Sequence, residues 1–391
     1  MKRGVVDISL LALMHSLQHI YHGALPPLYL LLRAEFSVST FQIGLIGSVF
    51  GFISILQGPA GYLVERFGGK RLSVLSMLGC SAATFLYSLA PSFEFLLMVV
   101  AIYAISQVPF HPASYAMVVQ RSAPYNRAKY ISYHQVGGFF GSAIGTAITA
   151  ALTSIGGWRT TLQIIPLGGL VIIVIFWKFV EDSANVTLQP IHQSTKTVPS
   201  AEKSFHITPP LLVLILGISI LSLGTLQQFI PLFLTEAYGE SIVWAGIFTS
   251  IMQAIGSATS LLGGAMSDKY EKTLIMISAY LGVAITTILL AVGQFSSAVL
   301  LIILILYGVT RYFPVPAQHA LSSVTAAGHP QGIGFSYTGT AIGQIFSAPL
   351  IGYLIDTLGA RLAFMICSIF PFLSATIMLI FRKMRSAPEE R

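Results

Sequence analysis

His15, His19 and His22 stand at i, i+4 and i+7 near the start of the chain, with Gln18 beside them. On a helix this spacing gathers the three rings on one face. With an unperturbed pKa near 6.5, imidazole takes up and returns a proton under mild pH differences, so such a stripe suits proton relay. His111, between Pro109 and Pro112, and His134 extend the set, with His319 further on. Any one of them reads equally well as a hydrogen-bonded packing residue. Histidines four apart can also share a metal ion, but a metal carrier would be expected to bring Asp, Glu or Cys to the same level, and none is there. No metal or other cofactor is expected. Arg311 is the second feature, preceded by a run, Thr273 to Thr310, without Asp, Glu, Lys or Arg. Its forked donors match a carboxylate, phosphate or phosphonate. The alternative is that it bonds backbone carbonyls freed by Pro314 and Pro316.

These residues must be positioned by elements that live in lipid. Of 391 residues, 54% are hydrophobic and only 9% charged, against roughly 25% charged in soluble domains. Charge-free stretches at Phe36–Val64, Phe95–Gln120 and Ser241–Ser267 each exceed the about 20 residues a spanning helix needs. The pattern predicts twelve helices near residues 8–32, 40–64, 72–90, 95–120, 130–153, 160–178, 210–235, 243–266, 273–293, 298–324, 332–355 and 362–381. Arg311 then falls about 14 residues into the tenth, roughly 20 Å along its axis and close to the bilayer midplane. Central Arg is unfavourable by roughly 2.5–3.5 kcal/mol on insertion scales, so it belongs beside a wet cavity or a partner. No Asp or Glu is predicted at that depth, so the cavity should favour an anion. Pro26, Pro109, Pro112, Pro231, Pro314 and Pro316 are predicted to interrupt the first, fourth, seventh and tenth helices. Broken backbone at membrane depth is tolerated where it lines a cavity, and Gln227, Gln228 and Tyr29 would add donors there.

The net charge of +7 could suggest a nucleic-acid partner, but its placement argues otherwise. Of the 21 Lys and Arg, 17 fall on one side of the twelve predicted spans. By the positive-inside rule this side is cytoplasmic and holds both termini. A multi-pass protein of the plasma membrane is expected, with the lipid bilayer and no nucleic acid as partner. Cys80 and Cys367 both lie inside predicted helices and offer no disulfide framework.

The chain also repeats. Gly61 and Glu65 recur as Gly264 and Asp268, Pro112-Ala113 as Pro316-Ala317, Gly137 and Gly141 as Gly339 and Gly343, and Arg159 as Arg361, at offsets of 202–204. The polar segment between the sixth and seventh helices is rich in Ser, Thr and Pro, as a linker would be. An N-terminal six-helix bundle over 1–180, a cytoplasmic linker over 181–209 and a C-terminal six-helix bundle over 210–391 are therefore expected. Parallel repeats of this kind imply a site near the midplane, with the halves rocking around it.

The loop Gly61-Tyr-Leu-Val-Glu65-Arg66-Phe-Gly68-Gly-Lys70-Arg71 resembles the signature loop of the major facilitator superfamily, with Glu where Asp is usual. Its counterpart, Gly264-Ala-Met-Ser-Asp268-Lys269, keeps the Asp. The resemblance implies the major facilitator fold, an all-α membrane protein of two pseudo-symmetric halves. It also implies that Gly61, Glu65, Arg66, Gly68, Lys70, Arg71, Gly264, Asp268 and Lys269 latch the cytoplasmic ends together, the glycines allowing close helix approach. A solvated basic loop that only sets topology is the alternative. Phe110-His111-Pro112 and the glycines at 137, 138, 141 and 145 resemble the fosmidomycin-resistance branch of proton-coupled drug exporters. Ala113 and Thr146 depart from that branch, which has Glu and Pro there.

The expected function is a secondary active transporter of a small organic anion or amphipathic drug-like solute, working by alternating access, proton-coupled and monomeric. Efflux is what the branch resemblance implies. Arg311, His111, His19, His22, Gln228 and Tyr29 are the expected substrate contacts, and His111, His134 and His15 the expected proton carriers. A uniporter, a sodium-linked carrier and a non-transporting receptor derived from a carrier are the alternatives. No nucleophile–base pairing or phosphate loop suggests an enzyme.

Overall fold

The computed structural model describes residues 2–122, 127–181, 209–267, 269–318, 321 and 332–386. Every regular element among them is helical. Eight helices are long and apolar enough to cross a membrane, and a ninth span is a pair, Thr40–Ser54 and Pro59–Phe67, bent by 63°. One of the eight, Lys129–Phe179, is about twice the length a bilayer requires and folds back at Gly157, whose φ of 78° is open to glycine but costly for other residues. It therefore serves as two spans. Two less apolar helices complete the set: α1 (Lys2–His22), with Lys2, Arg3, Asp7 and the three histidines, and α5 (Gly69–Tyr87), which opens on Lys70-Arg71. The protein is a twelve-span helical membrane protein of two pseudo-symmetric six-helix bundles.

The predicted first span is longer and is broken. After α1 the chain makes a 3-10 turn at Pro26–Leu28 and continues as α2 (Tyr29–Phe36). The fourth predicted helix breaks likewise into α6 (Phe93–Gln107) and α7 (Phe110–Arg121), with Pro109 at the joint. In the tenth, α12 (Ser297–Tyr312) stops before a turn at Phe313-Pro314. Proline lacks the N–H that would continue each ladder and its ring crowds the preceding turn. Pro231 is the exception: it lies within α9 (Pro209–Tyr238), which runs on through it, so the predicted interruption of the seventh helix is not found.

The two halves repeat in three dimensions as well as in sequence. Arg159 donates to the carbonyls of Ser88 (2.7 Å) and Ala90 (2.9 Å), and pairs with Glu35 at 2.6 Å. Arg361, its partner in the repeat, donates to the carbonyls of Ala291 (3.1 Å), Gly293 and Ala237 (2.7 Å). Both therefore tie off carbonyls at the end of a third span, where helix ends leave acceptors without partners. The same chemistry recurs at the same place in each half.

Helix packing differs at the two ends of the bundle. One end carries Asp7–Arg121 (2.8 Å), Arg382–Glu271 (2.9 Å) and Lys70 over the ring of Trp177; it is the basic end. At the far end α3 (Thr40–Ser54) lies against α13 (Gly332–Leu358). A side chain on Gly44 or Gly51 would run into the backbone of Ala348 or Ile345, so only glycine lets these helices touch. Ser48 Oγ donates to the Ile345 carbonyl at 2.6 Å. Asp356 accepts from the backbone N–H of Thr40 (2.9 Å) and Phe41 (2.8 Å), the first turn of α3. Arg33 bridges Thr40 Oγ1 (2.9 Å) and Glu236, joining the halves once more. At the basic end α4 (Gln57–Phe67) bends away from α3, and open space faces Gly61. The halves meet at the far end and part toward the basic end.

Candidate functional site

Two adjoining cavities of about 370 and 210 Å³ lie between the halves and share His19, Phe139, Arg311 and Tyr312 as walls. The larger continues toward the basic end past Gln57 and Gln318, and the smaller ends beneath the far-end contacts at Pro26 and Pro231. Broken backbone surrounds them: α1 ends at His22, α7 begins at Phe110 and α12 ends at Tyr312. The prolines that stop these helices thus bring Arg311, His22 and His111 to helix termini beside the cavities.

Arg311 is half-buried, and its guanidinium lies 5.4 Å from the centre of the Tyr312 ring. The Tyr312 hydroxyl accepts from Gln227 Nε2 at 2.7 Å, and its ring meets Phe139 edge to face at 5.5 Å across the boundary between halves. Among the described residues lining either cavity there is no carboxylate. A guanidinium in a water-accessible pocket of low dielectric raises the local potential for anions.

The histidines form a continuous cluster. The His15 and His134 rings stack at 4.3 Å, His15 and His19 meet at 4.8 Å, and His15 and His111 at 5.2 Å. His15 Nδ1 lies 2.8 Å from the His134 carbonyl. A carbonyl only accepts, so Nδ1 carries the proton and Nε2 is left as the acceptor. His19 Nδ1 meets Ser142 Oγ at 2.9 Å. One ring nitrogen each of His15, His19 and His111 lie within 4.8 Å of one another. Three imidazole nitrogens gathered this closely can also hold a metal ion. Neighbouring imidazoles at these separations can pass a proton through one water.

Of the expected substrate contacts, Arg311, His111 and His19 line the larger cavity and His22 and Gln228 the smaller. Tyr29 does not line either. It is 2% exposed and packs against Phe229 at 5.5 Å, because the turn at Pro26 rotates α2 away from the cavity. Of the expected proton carriers, His15 and His111 line the larger cavity, while His134 is buried behind His15. In the signature loop, Glu65, Arg66 and Arg71 are exposed, Gly68 has a φ of 83° at the joint between α4 and α5, and Lys70 lies over Trp177. A side-chain carbon on Gly264 would come no nearer than 3.8 Å to Pro316 of its own half, and Lys269 is exposed. The close approach expected at Gly61 and Gly264 is thus absent from this conformation; the glycines that do touch across the halves include those of α3, with Gly246 against Ala150 and Gly352 against Thr40. Asp268 and His319 lie outside the described residues. Gln253, Phe139 and Tyr312 were not singled out by sequence. Neutral amides and aromatics in apolar helices carry no local mark, and only the repeat's predicted midplane site could have pointed to them.

Relatives place this geometry. The family model described as Major Facilitator Superfamily matches residues 11–332. The fosmidomycin resistance protein of Escherichia coli (strain K12) is 23% identical over 371 residues, covering 93% of this chain and 89% of that protein. A probable L-galactonate transporter of the same strain is 22% identical, covering 86% and 80%. Among solved structures, a bacterial homologue of the human lysosomal transporter Spinster, crystallised inward-facing and unoccupied, superimposes with a TM-score of 0.76 at 19% identity, covering 99% of each chain. Fold and relatives are those of carriers, not enzymes: the chain belongs to the major facilitator superfamily.

Proposed function

We propose that this protein is a secondary transporter that carries a small organic anion by alternating access, with Arg311 as the anchor of the anionic group. The observation that carries this reading is the place of Arg311 in the wall common to both cavities, between halves that meet at one end and part at the other. The L-galactonate named for one relative is itself an organic anion. The halves, 1–180 and 210–391 joined through 181–209, rock about this point. In this reading the basic end faces the cytoplasm with both termini, following the positive-inside rule, the arrangement corresponds to an inward-open state, and the carrier works as a monomer in the plasma membrane. The signature loops would close that end in the opposite state.

Protons supply the coupling, through His111, His15 and His134, which form one chain from the cavity inward. One proton crossing 100 mV releases about 2.3 kcal/mol, enough for roughly fifty-fold accumulation. Binding is tested on the purified chain with a panel of organic anions, since a ligand of the folded state raises apparent stability. Anions that stabilise the parent and not Arg311→Gln support the anchor; equal stabilisation of both removes it. Uptake into vesicles with and without an imposed pH gradient tests coupling. Uptake indifferent to that gradient would make the protein a uniporter or a sodium-linked carrier.

A further inference from the structure

The smaller cavity shares Arg311 and His19 with the larger and adds a buried amide whose oxygen has no partner. Its wall holds three amides, Gln227, Gln228 and Gln253, and four hydroxyls, Ser142, Thr146, Thr249 and Tyr312. Gln227 already donates to Tyr312, and Thr146 and Thr249 donate to the carbonyls of Ser142 (3.0 Å) and Ala245 (2.7 Å). Each of those hydroxyls keeps an acceptor lone pair. Gln253 is 5% exposed, and its Oε1 is buried with no hydrogen-bond partner. A buried acceptor of this kind is costly unless something donates to it. The nearest space from which a donor can come is the cavity that Gln253 lines. The Phe139–Tyr312 pair and Arg311 stand where this chamber meets the larger one.

We propose that the smaller cavity is a hydroxyl-reading subsite with Gln253 as its selecting residue, so that the carried anion is a short polyhydroxylated carboxylate. This rests on the carrier reading, with the carboxylate at Arg311 and the hydroxylated carbons extending past the aromatic pair. Three points decide for hydroxyls. The chamber, at about 210 Å³, is below the size of pockets that hold drug-like molecules, about 300–1,000 Å³, so it takes a fragment rather than a bulky apolar group. Beyond Arg311, His19 and His22, its polar groups are neutral amides and hydroxyls that both donate and accept, as alcohols do. An alkyl chain would leave the Gln253 oxygen without a donor, and sites built to bond a hydroxyl reject analogues lacking it by large factors.

Affinities of the purified full-length chain for gluconate and for hexanoate, equal in carbon number and charge, test this. The parent is expected to prefer gluconate by about a hundredfold or more. Gln253→Leu is expected to bring the two within about tenfold by weakening gluconate alone, and Gln253→Met, a second variant of similar size, to do the same. Arg311→Gln is expected to weaken both ligands alike. Equal binding of both ligands by the parent, or a preference that survives in both Gln253 variants, overturns the subsite while leaving the anchor intact. Failure of both carboxylates to bind the parent overturns the subsite and the carrier reading together.

Discussion

Asp356 holds the far end closed by accepting two backbone N–H groups at the start of α3, at 2.9 and 2.8 Å, from the other half of the protein. Its carboxylate also lies at a helix N-terminus, where negative charge is favoured by about 0.3–1 kcal/mol. Hydrogen bonds to a charged group contribute about 1.5–3 kcal/mol each when buried. Asp356 is exposed, and solvent screening discounts that gross figure heavily. A net contribution of about 1 kcal/mol remains as the difference between the closed and open far end. In Asp356→Asn one acceptor survives and the charge is lost, so the far-open population should rise about fivefold. Spin labels at Leu89 and Val292, both exposed residues near the far ends of the third and ninth spans, would report this as growth of a longer-distance component. Cys80 and Cys367, both buried, would first be replaced by Ala. An unchanged distance distribution in Asp356→Asn would refute the assignment of this contact as a latch.

Three further outcomes are expected. Arg361→Ala releases three carbonyls at helix ends and should cost about 1–3 kcal/mol of stability in denaturant titration in detergent, with Arg159→Ala similar. If only one of the two were costly, the structural equivalence of the halves would fail. Gly141→Ala places a methyl group on the backbone of Ser16, an overpacking worth about 1–3 kcal/mol, read as a lower melting temperature; Gly61→Ala, which faces open space, should leave it unchanged. His111→Gln should abolish the response of anion uptake to a pH gradient while retaining counterflow, and a retained gradient response would move coupling elsewhere.

The spans and the repeat were legible because lipid imposes a length and a composition on every crossing helix, and because Arg159 and Arg361 perform one task twice. Arg311 and the stripe at His15, His19 and His22 were legible because charge and imidazole are rare in such helices. The reading failed where local sequence is silent about direction. Tyr29 follows a proline turn, as a cavity residue would, yet that turn swings it against Phe229. Pro231 has the same local signature as Pro109, but α9 continues through it. The closed end was not legible at all, since Thr40 and Asp356 meet across 316 positions of chain. Gln253 is a neutral amide in an apolar run, and its meaning comes only from the cavity it lines.

The anchoring of an anion by Arg311 is tested most directly by flux. Labelled gluconate entering proteoliposomes should be measured for the parent, Arg311→Lys and Arg311→Ala at equal reconstitution. Removing one member of a buried, hydrogen-bonded charge pair costs about 2–5 kcal/mol, so Arg311→Ala should lower the apparent affinity by at least about thirtyfold. Arg311→Lys should fall between, keeping the charge and losing the fork. Equal uptake by the parent and Arg311→Ala would contradict the account.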